Sequence, residues 1–280
     1  MSALAQYFVQ KGHDVFGYDR MASEITDKLS QIGATVHHHD IVKSIPEACT
    51  DKSKTTVVYT PAVPEDSPQF GFFKSTGFDI FKRSEVLGEL SREIHCLAVG
   101  GTHGKTTTSS ILAHLLRESG KKITAFLGGI SSNFGSNFIS NGTDHMVVEA
   151  DEFDHSFLKL HPDLLCITSM DADHLDIYQN EKNLEKSFKA FASLVSNPHH
   201  RWIKDGLEVS GLSFGTDSKA DVRVQNIKIE NGNYIFDFYS TDQMLRNLQF
   251  GLPGAHNLMN ATVAIACLLY TSDAADEWRS

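Results

Sequence analysis

The sequence predicts an α/β protein: a Rossmann-like N-terminal domain with its first strand missing, then a P-loop-type central domain with an added antiparallel β segment. Three observations carry this reading. Short apolar runs at residues 13–18, 35–37 and 55–59 alternate with helical patterns, the rhythm of a parallel sheet. A glycine-rich run, Gly100-Gly101-Thr102-His103-Gly104, separates an apolar strand pattern from a helical one. Far downstream, Asn231-Gly232 joins two alternating runs, the strongest short hairpin signal.

Each element has its own local cause. Residues 3–10 have helical spacing and stop at Gly12. Residues 13–18 read as a strand ending at Asp19. Ser23 caps the next helix, whose apolar positions are Ile25, Leu29 and Ile32, and Gly33 ends it. Thr35-Val36-His37 is a short strand. The β-branched run 55–59 reads as a buried parallel strand broken by Pro61 and Pro64. Residues 84–92 are helical. The central unit begins near Ile94 with the strand 96–99, the glycine loop and a helix over 109–119. Strands follow at 146–148 and 164–168. The hairpin pairs Val222, Val224, Ile227 and Ile229 with Tyr234, Phe236 and Phe238.

Composition excludes several classes of protein. The 280 residues are 41% hydrophobic and 21% charged, ordinary for a globular chain. No apolar run reaches the ~20 residues of a membrane span, and residues 1–10 do not read as a signal peptide. Asp plus Glu number 35 against 25 Lys plus Arg, and no basic stripe offers a surface for nucleic acid. Four scattered cysteines without a CxxC predict a reduced, cytoplasmic protein.

Gly101-Thr102-His103-Gly104-Lys105-Thr106 is the strongest chemical signal. Glycines let backbone N–H groups turn toward a phosphate, and the helix that follows adds its dipole. Lys105 would reach the β and γ phosphates, and the Thr106 hydroxyl would bind Mg²⁺. Val99 stands where the full P-loop pattern has its first glycine, so only the second half is met. Glu149 ends the strand 146–148, and ligands of open α/β sheets sit beyond such ends, so Glu149 is placed to hold Mg²⁺. His174, after the next strand, could hold a second Mg²⁺, with Asp171 and Asp173 beside it. Asp151, Glu152, Asp154 and Asp176 read as solvated loop carboxylates. Lys105 reads as an exposed loop residue with no core role. His256 and Asn260 share one helix face with Asn257 between them, suited to an adenine edge or a phosphate, or to capping by Asn257. His37-His38-His39 reads as surface.

These motifs resemble the Mur ligase family, and within it the branch that joins L-alanine to UDP-N-acetylmuramate. The carrying segments are AVGGTHGKTTT at 98–108, Gly128-Gly129, EADEFDHSFLKL at 149–160, TSMDADHLDIY at 168–178 and LPGAHNLMN at 252–260. The resemblance covers residues 1–267. It implies a UDP-sugar-binding domain over 1–93, a central ATP-binding domain over 94–267, a non-matching tail over 268–280, and a C-terminal amino-acid domain lying outside this sequence. The opening strand and glycine loop that cradle the UDP pyrophosphate also lie outside it, which implies that these residues alone are inactive. The implied reaction is transfer of the ATP γ-phosphoryl group to the muramoyl carboxylate, followed by attack of the alanine amine on the acyl phosphate. By resemblance, Gly101, Thr102, His103, Gly104, Lys105, Thr106 and Thr107 bind the nucleotide. Thr106, Glu149 and His174 hold Mg²⁺, with Lys105, Glu149 and His174 catalytic. His256, Asn257 and Asn260 lie near the adenine, and His103 also faces the sugar nucleotide. Asp19 and the loop 60–62 belong to the UDP side. The implied setting is cytoplasmic peptidoglycan synthesis, with neither nucleic acid nor membrane as partner. Three alternatives stand beside it: the ligase that recycles murein tripeptide, a nucleotide-binding module without catalysis, and a P-loop kinase.

Overall fold

The computed structural model describes residues 1–171 and 180–277, and the chain divides into two compact units, residues 1–88 and 89–280. The first unit holds α1 (Ser2–Gln10), β1 (Phe16–Tyr18), α2 (Glu24–Gln31), β2 (Thr35–His37), β3 (Thr56–Tyr59), α3 (Pro68–Thr76) and β4 (Asp79–Lys82). β1 pairs in parallel with β2, and β3 with β4, as two separate two-stranded sheets. The Ser23 cap is a full capping box: the Thr26 N–H donates to Ser23 Oγ at 3.3 Å, and the Ser23 N–H donates to Thr26 Oγ1 at 2.8 Å. β1 begins at Phe16, three residues later than its apolar run, because pairing with the three residues of β2 sets its length. β3 is half-buried rather than buried, since β4 is its one partner strand among the described residues. His37 and His38 are half-buried too, and a His38 ring nitrogen meets the Asp19 carbonyl at 2.8 Å. α3 and β4 carry no strong period; Ser67 caps α3, Pro68 opens it and a left-handed Gly77 ends it.

The second unit follows α4 (Arg83–Glu93), which crosses the boundary. Its strands are β5 (His95–Gly100), β6 (Ile123–Ser131), β7 (Ser136–Ser140), β8 (His145–Glu149), β9 (Leu164–Ile167), β10 (Arg201–Lys204), β11 (Leu212–Gly215), β12 (Val222–Glu230), β13 (Asn233–Tyr239) and β14 (Met244–Phe250). Its helices are α5 (Lys105–Glu118), α6 (Glu181–Ala192) and α7 (Ala255–Glu277). The ten strands form one sheet in the order β14-β13-β12-β11-β10-β9-β5-β8-β6-β7. From β12 to β6 the neighbours run parallel, and antiparallel pairs close both edges. β5 lies between β8 and β9, buried on both faces, as a Cys-Leu-Ala-Val run requires. Leu97 and Val99 face a core shared with Leu112 and Leu116 of α5 and Leu258, Val263 and Cys267 of α7. Gly100 approaches Phe191 of α6, and Phe191 stacks on Phe157 with ring centres 4.8 Å apart. Residues 268–270 continue α7 and pack against the same core through Leu268, Leu269 and Tyr270. No helix among the described residues is long and apolar enough to cross a membrane.

At the amino ends of these strands, His95 and His145 stand side by side with ring centres 5.4 Å apart. His95 Nδ1 lies 3.3 Å from the Asp163 carboxylate. Burial lowers the His95 pKa, and His145 and His200 add to this, while Asp163 opposes it. An unfolded histidine protonates near 6.5. Below that pH the unfolded chain binds the proton more readily than the native one, so stability falls as pH drops through 6.5 toward the native value. Thermal melts between pH 7.5 and 5 are expected to show a steeper loss for the wild type than for His95→Gln. Equal slopes would contradict this.

Candidate functional site

The site forms where the chain order around β5 reverses. From β5 the chain passes through α5 to β6, and β8 then fills the gap between β5 and β6; β9 adds on the other side of β5. Such a switch point opens a crevice beyond the carboxyl ends of the strands. Three segments converge there: the loop after β5, the end of β8 and the end of β9.

The glycine loop turns directly into α5, which starts at Lys105 rather than at Ser109, because its N-cap Gly104 adopts φ 83° and releases the chain into a helix. Gly104 has no side chain to offer the first-turn N–H groups, so the helix N-terminus is suited to an anion. Hydroxyl groups at the end of β9 strap the loop down. Thr168 Oγ1 donates to the carbonyls of Gly100 (3.1 Å) and His103, and the His103 N–H donates to Ser169 Oγ at 2.7 Å. The Asp171 N–H donates to Thr102 Oγ1 at 3.0 Å, and the Thr102 N–H to the Ser169 carbonyl at 3.2 Å. These partners are more than 60 residues apart in the chain, and no local pattern announced them.

Thr106 and Glu149 meet as expected. The Thr106 hydroxyl donates to Glu149 Oε1 at 3.0 Å, and the Gly128 N–H donates to Glu149 Oε2 at 2.7 Å. A hydroxyl and a carboxylate side by side form a hard oxygen donor set, which suits Mg²⁺. A Cβ on Gly128 would sit 2.4 Å from Glu149 Oε1. Gly128→Ala is therefore expected to push the carboxylate off Thr106 and weaken Mg²⁺-dependent nucleotide binding by about tenfold. Mg²⁺ titration at fixed nucleotide measures this, and an unchanged curve would count against it.

Lys105 and Glu152 overturn two expectations. Lys105 is not an exposed loop residue: its side chain is 15% exposed, and Nζ donates to the Gly101 carbonyl at 2.7 Å. Glu152 is not a solvated carboxylate: it is 1% exposed and lies 2.9 Å from Lys105 Nζ. The sequence concealed this because an acidic stretch after a strand looks like a wet loop. The signal that could have found it is Phe157, a large apolar residue that is 1% exposed and pins the segment to the core.

The remaining candidates are spread around the loop. Asn260 is 6% exposed, and its amide crowds Gly104, where a Cβ would come within 2.6 Å. His256 is exposed at the start of α7, and Asn257 Nδ2 donates to the Pro253 carbonyl at 2.6 Å, which ties the first turn of α7 back to the preceding segment. His103 is 66% exposed, its Nε2 3.9 Å from Asp171 Oδ2. Thr107 is half-buried in the first turn of α5. His174, with Asp173 and Asp176, lies outside the described residues.

Comparison with known proteins identifies the family of this chain. The Mur ligase middle domain matches residues 99–268, and the domain described as Mur ligase family, catalytic domain, matches residues 1–95. A curated relative from Christiangramia forsetii, named UDP-N-acetylmuramate–L-alanine ligase, is 52% identical over 95% of this chain and 59% of its own length. One of the same name from Flavobacterium psychrophilum is 47% identical over the same shares. The crystal structure of UDP-N-acetylmuramate-alanine ligase MurC from Thermotoga maritima superposes with a TM-score of 0.82 at 26% identity, covering 97% of this chain and 63% of that one. The chain thus spans about three fifths of the length of these curated relatives. On the matched domains and these identities, the chain belongs to the Mur ligase family.

Proposed function

We propose that these residues are the nucleotide-handling part of an ATP-dependent ligase that joins L-alanine to UDP-N-acetylmuramate through an acyl phosphate, in peptidoglycan stem-peptide synthesis. One observation carries the reading: a helix N-terminus with Lys105, the Thr106 hydroxyl and the Glu149 carboxylate meet at one rim of a sheet, in a chain 52% identical to a relative of that name.

In this proposal residues 94–267 bind ATP and residues 1–93 bind the UDP sugar. The first-turn N–H groups of α5 and the loop 101–107 cradle the phosphates, and Lys105 offsets the charge that develops on the transferred group. Thr106 and Glu149, with His174, would hold Mg²⁺, which would supply positive charge to offset that of the phosphates. Asn260 closes the loop from α7, with His256 and Asn257 on the adenine side. His103, exposed at the loop's outer turn, reaches toward the sugar nucleotide. Catalysis here is positioning and electrostatics rather than covalent chemistry by the protein.

The test is release of phosphate from ATP by the protein at the full length of its relatives. Release is expected to require both UDP-N-acetylmuramate and L-alanine. Release driven by a murein tripeptide in place of L-alanine would move the protein to the recycling branch. Nucleotide binding with neither activity would leave a binding module.

A further inference from the structure

The Lys105–Glu152 pair has a role beyond neutralising a buried charge. Lys105 Nζ donates to the Gly101 carbonyl at 2.7 Å, the Thr102 carbonyl at 3.4 Å and Glu152 Oε1 at 2.9 Å. An ammonium has three N–H bonds, so this arrangement commits all of them. The two carbonyls belong to the loop that Thr168 and Ser169 strap in place. Glu152 is the charged partner, with its second oxygen also 2.9 Å away. Its carboxylate therefore gives Lys105 what a phosphate oxygen would give. A carboxylate and a phosphate around one ammonium repel each other strongly where water is excluded.

The backbone beyond Glu152 is also unusual. Asp154 and His155 are consecutive non-glycine residues in the left-handed region, at φ 52° and 54°. His155 Nδ1 meets Ser187 Oγ of α6 at 3.2 Å, which anchors the far end of this turn. A strained turn held from outside is a device for presenting one side chain, and strain of this kind is released if the turn moves.

We infer that Glu152 and the polyphosphate of a nucleotide compete for Lys105, so that Glu152 is a positioning residue that sets the nucleotide affinity of the loop. The inference rests on the reading that the loop takes ATP. Binding proceeds when a phosphate oxygen takes over the N–H that Glu152 now accepts, with the turn 152–155 yielding.

The experiment uses the 280-residue chain, labelled with ¹⁵N-lysine, and Mg·ADP as the probe. Calorimetric titration compares wild type, Glu152→Gln and Asp151→Asn, while NMR follows the Lys105 ammonium. Glu152→Gln keeps the shape and removes the charge. It is expected to bind Mg·ADP about five- to tenfold more tightly, the scale of losing one competing charged hydrogen bond. Its Lys105 ammonium resonance should move toward the position the wild type reaches on adding Mg·ADP. Asp151→Asn removes a neighbouring charge whose Oδ1 accepts from the Phe153 N–H, and is expected to bind as the wild type does. Equal or weaker binding by Glu152→Gln would overturn the inference, as would an equal gain from Asp151→Asn. If Glu152→Gln fails to fold by circular dichroism, Glu152→Asp draws the carboxylate back and should give a smaller gain; no gain overturns it. No binding by any variant, wild type included, sinks the ATP reading as well. Wild-type binding with an unmoved Lys105 resonance sinks the inference alone.

Discussion

Lys105→Ala is expected to abolish ATP-dependent ligation in the full-length protein, and to lower Mg·ATP affinity in this chain by on the order of a hundredfold, the scale of removing one essential charge-stabilising donor. The fold should survive but at a cost. Glu152 is 1% exposed, and the substitution takes away its cation. Removing one member of a buried ion pair destabilises by about 3–5 kcal/mol, because the other charge is left uncompensated. The double variant Lys105→Ala/Glu152→Gln should recover much of that stability and none of the catalysis. Denaturant unfolding and calorimetric titration separate the two effects. A single variant as stable as wild type would show that the Lys105–Glu152 contact contributes little. Near-normal ligation would remove Lys105 from the mechanism.

Gly101→Ala has the second large effect. Gly101 adopts φ +138°, and a Cβ there would lie 2.2 Å from Thr168 Oγ1 and 2.9 Å from the Ser169 amide nitrogen. The second neighbour is backbone and cannot swing aside. The loop must lift off the end of β9 and lose the Thr168 and Ser169 hydrogen bonds, a loss of about 3–4 kcal/mol with nucleotide binding gone. For a unit of this size that is a fall of roughly 10 °C in melting temperature. Gly120→Ala is the control. Gly120 has φ +82° with nothing within 4 Å, so alanine there meets backbone strain alone, about 1 kcal/mol. If the two variants melt together, the close approach at Gly101 is not what holds the loop.

Much of the site was legible because its cause is local. A lysine and a hydroxyl after a glycine turn, an apolar strand before it and a helical pattern after it lie within about a dozen residues. Glu149 could be read as the last residue of an apolar run, and the structure sets it against Thr106. The Asn231-Gly232 hairpin and the Ser23 cap followed from turn and cap chemistry that involves no distant partner.

What the sequence left open depends on strand order. β6 and β7 went unread, although Ile123 to Leu127 are all buried, because a continuous apolar run with glycines near its end has no distinguishing period. Nothing local says that β8 inserts between β5 and β6, or that β9 joins β5 on its other side. That order brings Glu149 to Thr106 across 43 residues, Glu152 to Lys105 across 47, and Thr168 to Gly100 across 68. By itself the sequence determined the glycine loop between β5 and α5, the Ser23 cap and the Asn231-Gly232 hairpin, because propensity, capping and turn chemistry act over one or two turns of chain. The tertiary structure alone decided which carboxylate stays wet and which becomes the counter-ion of Lys105, because burial is set by what the sheet places on top of a residue and not by its neighbours in sequence.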